Sequence, residues 1–102
     1  MRAIINGKKY DTDTAEHVAS ASYSGSRSDF QWWEEDLYRK RTGEFFVAGE
    51  GGPMTRYARA VDQNSWTGGS RIIPVTESGA RAWVENHGDA ETYERLFGEV
   101  VE

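Results

Sequence analysis

The sequence predicts an α+β fold in which a small antiparallel sheet packs against short helices. Three observations point there. Apolar runs of strand length, at residues 3–5, on either side of a Gly-containing turn within residues 37–48, and at residues 71–75, are separated by stretches rich in Asn, Gly and Ser, the punctuation of short strands. After Thr76 the spacing changes to apolar residues three and four apart, the signature of an amphipathic helix. The 102 residues also support one hydrophobic core and no second, because a chain of this size buries about two-thirds of the surface it exposes when unfolded. A single domain over residues 1–102 follows. Its predicted sheet consists of an N-terminal hairpin, a central hairpin and a short edge strand, and two of its helices are C-terminal.

Taken in order, the N-terminal hairpin is read from Asn6 and Gly7, a pair that supplies the positive φ angles of a type I′ turn. Next, Asp11, Thr12, Asp13 and Thr14 offer helix caps, and Glu16 stands three residues after Asp13 as in a capping box. Ala15, Val18, Ala19 and Ser22 recur at helical spacing, so a helix is expected over residues 13–21 with a small-residue face on the sheet. His17 lies off that face. No second ligand at metal spacing accompanies it, and it reads as a surface histidine. Residues 20–29, rich in Ser, Gly and Tyr, read as a loop turning at Gly25. In the strand-like run that follows, the adjacent Trp32 and Trp33 would point to opposite faces. One of them is then free to act as a contact anchor, unless both rings pack into the core.

The central hairpin turns at Arg41, Thr42 and Gly43, where Gly can take the left-handed position. Phe45, Phe46 and Val47 are apolar on both alternating sets, which predicts a central strand covered on two sides. Gly49 to Pro53 is expected to end that strand in a sharp reversal. It lacks the Gly-Lys-Ser/Thr ending of a P-loop and the spacing of a dinucleotide fingerprint, and Glu50 has the wrong charge for a phosphate site. Pro53 suits the first turn of a short helix through Met54, Tyr57, Ala58 and Val61, with Arg56 and Arg59 exposed. Residues 62–70 read as a second loop, with Trp66 either a lid over the core or an exposed aromatic. Pro74 confines the strand at residues 71–75 to an edge or a strand end. Thr76 then caps a helix whose Ala80, Trp83, Val84 and His87 share one face and which Gly88 stops. Asp89 caps a last helix with Ala90, Tyr93, Leu96 and Phe97 inward and Gly98 as its stop.

The charge is unevenly placed. Through Thr76 ten acidic residues balance ten basic ones, whereas Glu77, Glu85, Asp89, Glu91, Glu94, Glu99 and Glu102 face only Arg81 and Arg95, so the whole net charge of -5 lies in the last quarter. Such a pole repels phosphates and attracts basic protein surfaces over about 8 Å at physiological salt. It also serves as a plain solvated helix face that keeps a protein soluble. There is no cysteine, which excludes a disulfide framework and a thiolate metal site. No cofactor motif is found. No apolar run approaches membrane-spanning length, and a cytoplasmic location with no membrane partner is the expectation.

The stretches INGKKYDTDTA (residues 5–15), EEDLYRKRTGEFFVAGEGGPMTRYA (residues 34–58) and NSWTGGSRIIPVT (residues 64–76), followed by a short acidic helical pair, resemble small proteins of bacterial mobile elements. That set is similar to some anti-CRISPR proteins of plasmids and prophages. The resemblance covers most of the chain in order, and its motifs are structural and carry no catalytic residues. It implies a stoichiometric inhibitor in the bacterial host cell, and a monomer is favoured while the sequence leaves a dimer open. Such an inhibitor binds a subunit of a CRISPR–Cas effector, a type I multi-subunit assembly being favoured, and blocks its access to target DNA.

Such effectors hold DNA in basic channels, so a compact acidic protein can compete for their Lys and Arg groups as a mimic of the phosphate backbone. The expected contact face is Glu85, Asp89, Glu91, Glu94 and Glu99, extended by Glu34, Glu35 and Asp36, with Trp33 or Trp66 as competing aromatic anchors. Other classes fit less well. An enzyme would need His17 or His87 paired with a carboxylate, or Glu34, Glu35 and Asp36 as a carboxylate cluster. Direct nucleic-acid binding through Lys8, Lys9, Arg39, Lys40 and Arg41 near aromatics is opposed by the acidic pole. A regulatory or antitoxin-like module differs from an inhibitor only in its partner.

Overall fold

The structure, a computed structural model, describes residues 1–98. Its centre is a four-stranded antiparallel sheet of β3 (Glu16–Ser22), β4 (Trp33–Arg39), β5 (Phe45–Gly51) and β8 (Gly69–Val75), in the order β3-β4-β5-β8. An N-terminal hairpin, β1 (Arg2–Ile5) and β2 (Lys8–Asp11), covers one face, and two helices, α1 (Glu77–His87) and α2 (Ala90–Phe97), cover the other. A small ribbon, β6 (Arg59–Ala60) with β7 (Trp66–Thr67), joins β5 to β8. This is the α+β architecture the sequence predicts.

The local signals explain the turns and caps. Asn6 and Gly7 take φ of 52° and 77°, the positive values of a type I′ turn. Gly43, at φ 93°, closes the β4–β5 hairpin. The Thr76 hydroxyl accepts from the Gly79 N–H at 3.0 Å and the Asp89 carboxylate from the Thr92 N–H at 2.8 Å, each satisfying an orphan donor of the first helical turn. The expected two-sided cover of β5 is present. Phe45 and Val47 join Leu37, Ala80, Trp83 and Val84 on the helix face, while Phe46 and Ala48 join Tyr10 and Ile72 under the hairpin.

Two expected helices are not formed. Residues 13–21 lie mostly in β3, paired with β4, and the register slips between His17 and Ala19 so that Val18 has no partner. This bulge sets Val18 beside Ala19 toward the helices, with Ala21 following. The resulting apolar spacing imitates a helix. The supposed capping residues instead build a turn on Asp11, whose carboxylate accepts from the Asp13 N–H and whose carbonyl accepts from the Thr14 and Ala15 N–H groups.

Residues 53–58 likewise form a non-helical strap before β6. The Thr55 hydroxyl donates to the Gly52 carbonyl and accepts from the Tyr57 N–H, competing with helical bonding. The glycine-rich stretch before it does not end β5 at Ala48, for the strand continues to Gly51, paired with Trp33 and Gly69. As expected, Pro74 falls on an edge strand, β8.

Candidate protein-binding surface

Alternation along β4 puts Trp33, Glu35 and Leu37 on the helix face and Glu34, Asp36 and Tyr38 on the hairpin face. Glu35 therefore turns inward and is only 7% exposed. Its neighbour across the ladder is Gly49, and the missing side chain there makes the room that the Tyr57 ring occupies, since a Cβ on Gly49 would collide with the Tyr57 hydroxyl. That hydroxyl donates to Glu35 Oε2 at 2.6 Å, and Trp83 Nε1 of α1 donates to Oε1 at 3.0 Å. Arg56 adds a bond from Nε at 2.9 Å and an ion pair from Nη2. One carboxylate thus ties the sheet, the strap and α1 together.

Burial by itself would raise the Glu35 pKa. The bonds from Tyr57, Trp83 and Arg56, with the Arg56 charge, outweigh it and hold the carboxyl below its ordinary value. Burial, followed by the bond to Glu35, pushes the Tyr57 phenol far up, so it remains a donor. A carboxylate kept ionised by three donors is a structural tie and not a general acid.

Beside this node an open cleft of about 740 Å³ lies between the strap, the loop before β4 and the C-terminal half of α1. Its aromatic wall is Trp33, Trp83 and His87, with the histidine ring 5.4 Å from Trp33 and 5.2 Å from Trp83 between centroids. Gln31 and Asn86 add amide groups. Met54, on the cleft's lining, is 63% exposed, and its N–H donates to the carbonyl of Phe30, itself 65% exposed.

The expected acidic face is only partly contiguous. Glu85, Asp89, Glu91 and Glu94 are all exposed around the α1–α2 corner. Asp89 is occupied as a cap, whereas Glu85, Glu91 and Glu94 have no ion-pair partner among the described residues. Glu99 lies outside the described residues. The extension through Glu34, Glu35 and Asp36 requires correction, because consecutive strand residues face opposite ways. Glu35 is buried in the node, and only Glu34 and Asp36 share a face. Trp33 is half-buried at the cleft and Trp66 is 60% exposed on its ribbon. Trp32, also half-buried, has the Arg27 guanidinium over its ring at 4.3 Å.

Sequence reasoning placed His17 on a helix and missed its partners. His17 Nε2 lies 2.9 Å from Asp36 Oδ1 and 3.1 Å from Ser20 Oγ. Although the residue types match a nucleophilic triad, one ring nitrogen faces both partners and the serine hydroxyl donates to the aspartate. The two ring nitrogens therefore do not bridge serine and carboxylate as a triad requires. Arg56, expected to be exposed, is half-exposed and bound to Glu35. Among the described residues no group of three or more His, Asp or Glu side chains is placed to hold a metal ion, and no helix is long and apolar enough to cross a membrane. Comparison with known protein families, curated proteins and solved structures finds no match to this chain.

Proposed function

We propose that the chain is an anti-CRISPR protein, a stoichiometric inhibitor that binds a subunit of a bacterial CRISPR–Cas effector and blocks binding of target DNA. A type I multi-subunit effector is the favoured target, and the inhibitor acts as a monomer in the host cytoplasm. The sequence resemblance suggests the class, and one observation carries the mode of contact. The exposed acids Glu85 on α1 and Glu91 and Glu94 on α2 have no cationic partners among the described residues, while Arg81 pairs with Glu77 and Arg95 reaches to Glu16. Uncompensated acids of this kind compete for the Lys and Arg groups that line a DNA channel.

The test is to titrate purified effector with the protein and follow binding of labelled target DNA. Inhibition should saturate near one equivalent, and the combined substitution Glu85→Lys, Glu91→Lys and Glu94→Lys should abolish it. Unchanged inhibition by that variant would sink the mimicry mechanism. Failure to bind effectors of several types would sink the class and favour a regulatory or antitoxin-like module, for which the exposed Phe30 and Met54 pair offers a contact that needs no DNA-guiding surface.

A further inference from the structure

We propose that the pocket between the start of β3 and the β4–β5 turn binds the phosphate backbone of a nucleic-acid strand. The proposal goes beyond the inhibitor reading and stands without it, since it concerns a different surface of the molecule.

The pocket, of about 570 Å³, is lined by Thr14 to Glu16 on one side and by Arg39 to Arg41 with Gly43 on the other. Among the described residues this rim is short of negative charge. A single oxygen of Glu16, Oε1, serves both Arg39 at 3.4 Å and Arg95 of α2 at 3.6 Å. Glu44, beside the turn, is likewise shared, by Lys8 at 3.0 Å and Lys40 at 3.5 Å. Two carboxylates thus meet four cations. Arg41 and Lys9 are exposed and have no ion pair among the described residues. Asp11 and Asp13, in the turn before β3, offset part of this excess. The Arg39 and Arg95 contacts to Glu16 are long and partly exposed, worth under about 1 kcal/mol each, so both guanidiniums can turn to a stronger acceptor.

The donors present suit a phosphate. A guanidinium offers a planar fork of N–H groups that matches phosphate oxygens two at a time, and Arg39 and Arg41 bring two such forks to one pocket. On the facing wall the Thr14 hydroxyl is engaged only by the Asp11 carbonyl, at 3.4 Å, and is a further donor. A nucleic-acid strand is favoured over an acidic peptide by what lies next to the pocket. His17 and Tyr38 form the ladder pair adjacent to Glu16 and Arg39, with ring centroids 5.3 Å apart, and the histidine is exposed. Bases stack on such rings beside a basic groove. Asp36, the next acid along this edge, is engaged by His17 and Ser20. The acidic pole that opposes nucleic acid is set apart in the structure. The α1–α2 junction meets the sheet where His87 packs on Trp33, the first residue of β4, whereas Arg39 is the last. That length of strand spans about 20 Å, more than twice the reach of about 8 Å that charge has at physiological salt. A nucleoprotein partner presents both kinds of complement, basic protein for one pole and phosphates for the other.

The test uses the whole protein and fluorescently labelled oligo-thymidylate, followed by anisotropy at low salt, with oligo-glutamate as competitor. Binding should saturate, and a plot of log K against log salt should fall with a slope of about −2, as for three phosphate contacts on a single strand. Arg41→Glu, at an exposed turn position that holds no ion pair among the described residues, should weaken binding about tenfold. Arg59→Glu, an equal change of net charge on the exposed β6, should change it less than about twofold. In ¹⁵N-labelled protein the oligonucleotide should shift the amides of Thr14 to Glu16 and of Gly43. Absence of saturable binding, equal losses in the two variants, shifts centred elsewhere, or displacement by oligo-glutamate of matched charge would each overturn the proposal, the last by assigning the pocket to an acidic protein. The effector titration separates this claim from the inhibitor reading. Oligonucleotide binding without inhibition of any effector removes the CRISPR class and leaves the pocket standing. Effector inhibition by a protein that binds no oligonucleotide does the reverse.

Discussion

The two faces of the central sheet are covered by different means. On the hairpin face the cover is aromatic, with Phe46 stacked on Tyr38 at 5.2 Å and meeting the edge of Tyr10 at 5.5 Å. On the helix face a comparable apolar cluster is combined with a charged tie, Glu35, that fastens α1 and the strap to β4. The hairpin side is held by non-directional packing, which gives way gradually. The helix side depends on a few oriented bonds whose donors have no replacement partner if the acceptor is lost. The open cleft borders the second kind of face, so its walls are set by hydrogen bonds and do not simply follow the shape of the packing.

That contrast can be broken or sharpened by mutation. The largest loss is expected from Phe46→Ala under the hairpin, about 4 kcal/mol of folding stability from lost burial and the cavity left behind, read from chemical denaturation. A loss under about 1 kcal/mol would mean that the hairpin is not a true layer of the core. On the opposite face Glu35→Ala should cost about 3 kcal/mol, less than a fully buried ion pair because Arg56 is half-exposed. Gly49→Ala should cost about 2 kcal/mol by driving the Tyr57 hydroxyl off Glu35. Its effect should largely vanish in a Tyr57→Ala background, and persistence there would place the strain elsewhere. The smallest change is Tyr57→Phe, about 1 kcal/mol for one hydrogen bond.

Acid separates the faces without a change in size. Glu35 has a folded pKa below its ordinary value of 4.5, so the folded protein binds that proton less readily than the unfolded chain does. Its stabilisation is complete above the ordinary value and is lost as pH falls from there through the folded pKa. Thermal melts below pH 4.5 should therefore show a shallower acid slope for Glu35→Gln than for the parent, whereas Phe46→Ala keeps the parental slope. Equal slopes in all three would show that other carboxylates govern acid unfolding.

Legibility in the sequence followed the range of the interactions. The Asn6–Gly7 turn, the Gly43 turn and the two capped helices are set within four or five residues, and each was read correctly. The doubly covered β5 was legible because Phe45 to Val47 is apolar on both parities. The segment of β3 was misread because its bulge puts Val18 and Ala19 on the same side, a spacing that periodicity assigns to a helix. The strap was misread because its conformation is set by Tyr57 and Arg56 reaching Glu35, more than twenty residues back along the chain. The same long-range bonds withdrew Glu35 from the expected acidic face, and only a correct assignment of strand parity to β4 would have signalled it.

The bulge at Val18 and the proline at position 74 share one further consequence, because they lie on the two border strands of the sheet. An approaching strand would find a broken hydrogen-bond rhythm along β3 and a missing donor on β8. Any chain that reaches high concentration is exposed to crowding with copies of itself. With both borders obstructed, strand-by-strand growth into fibres is disfavoured, and copies of the chain can stay apart where an open sheet edge would join them.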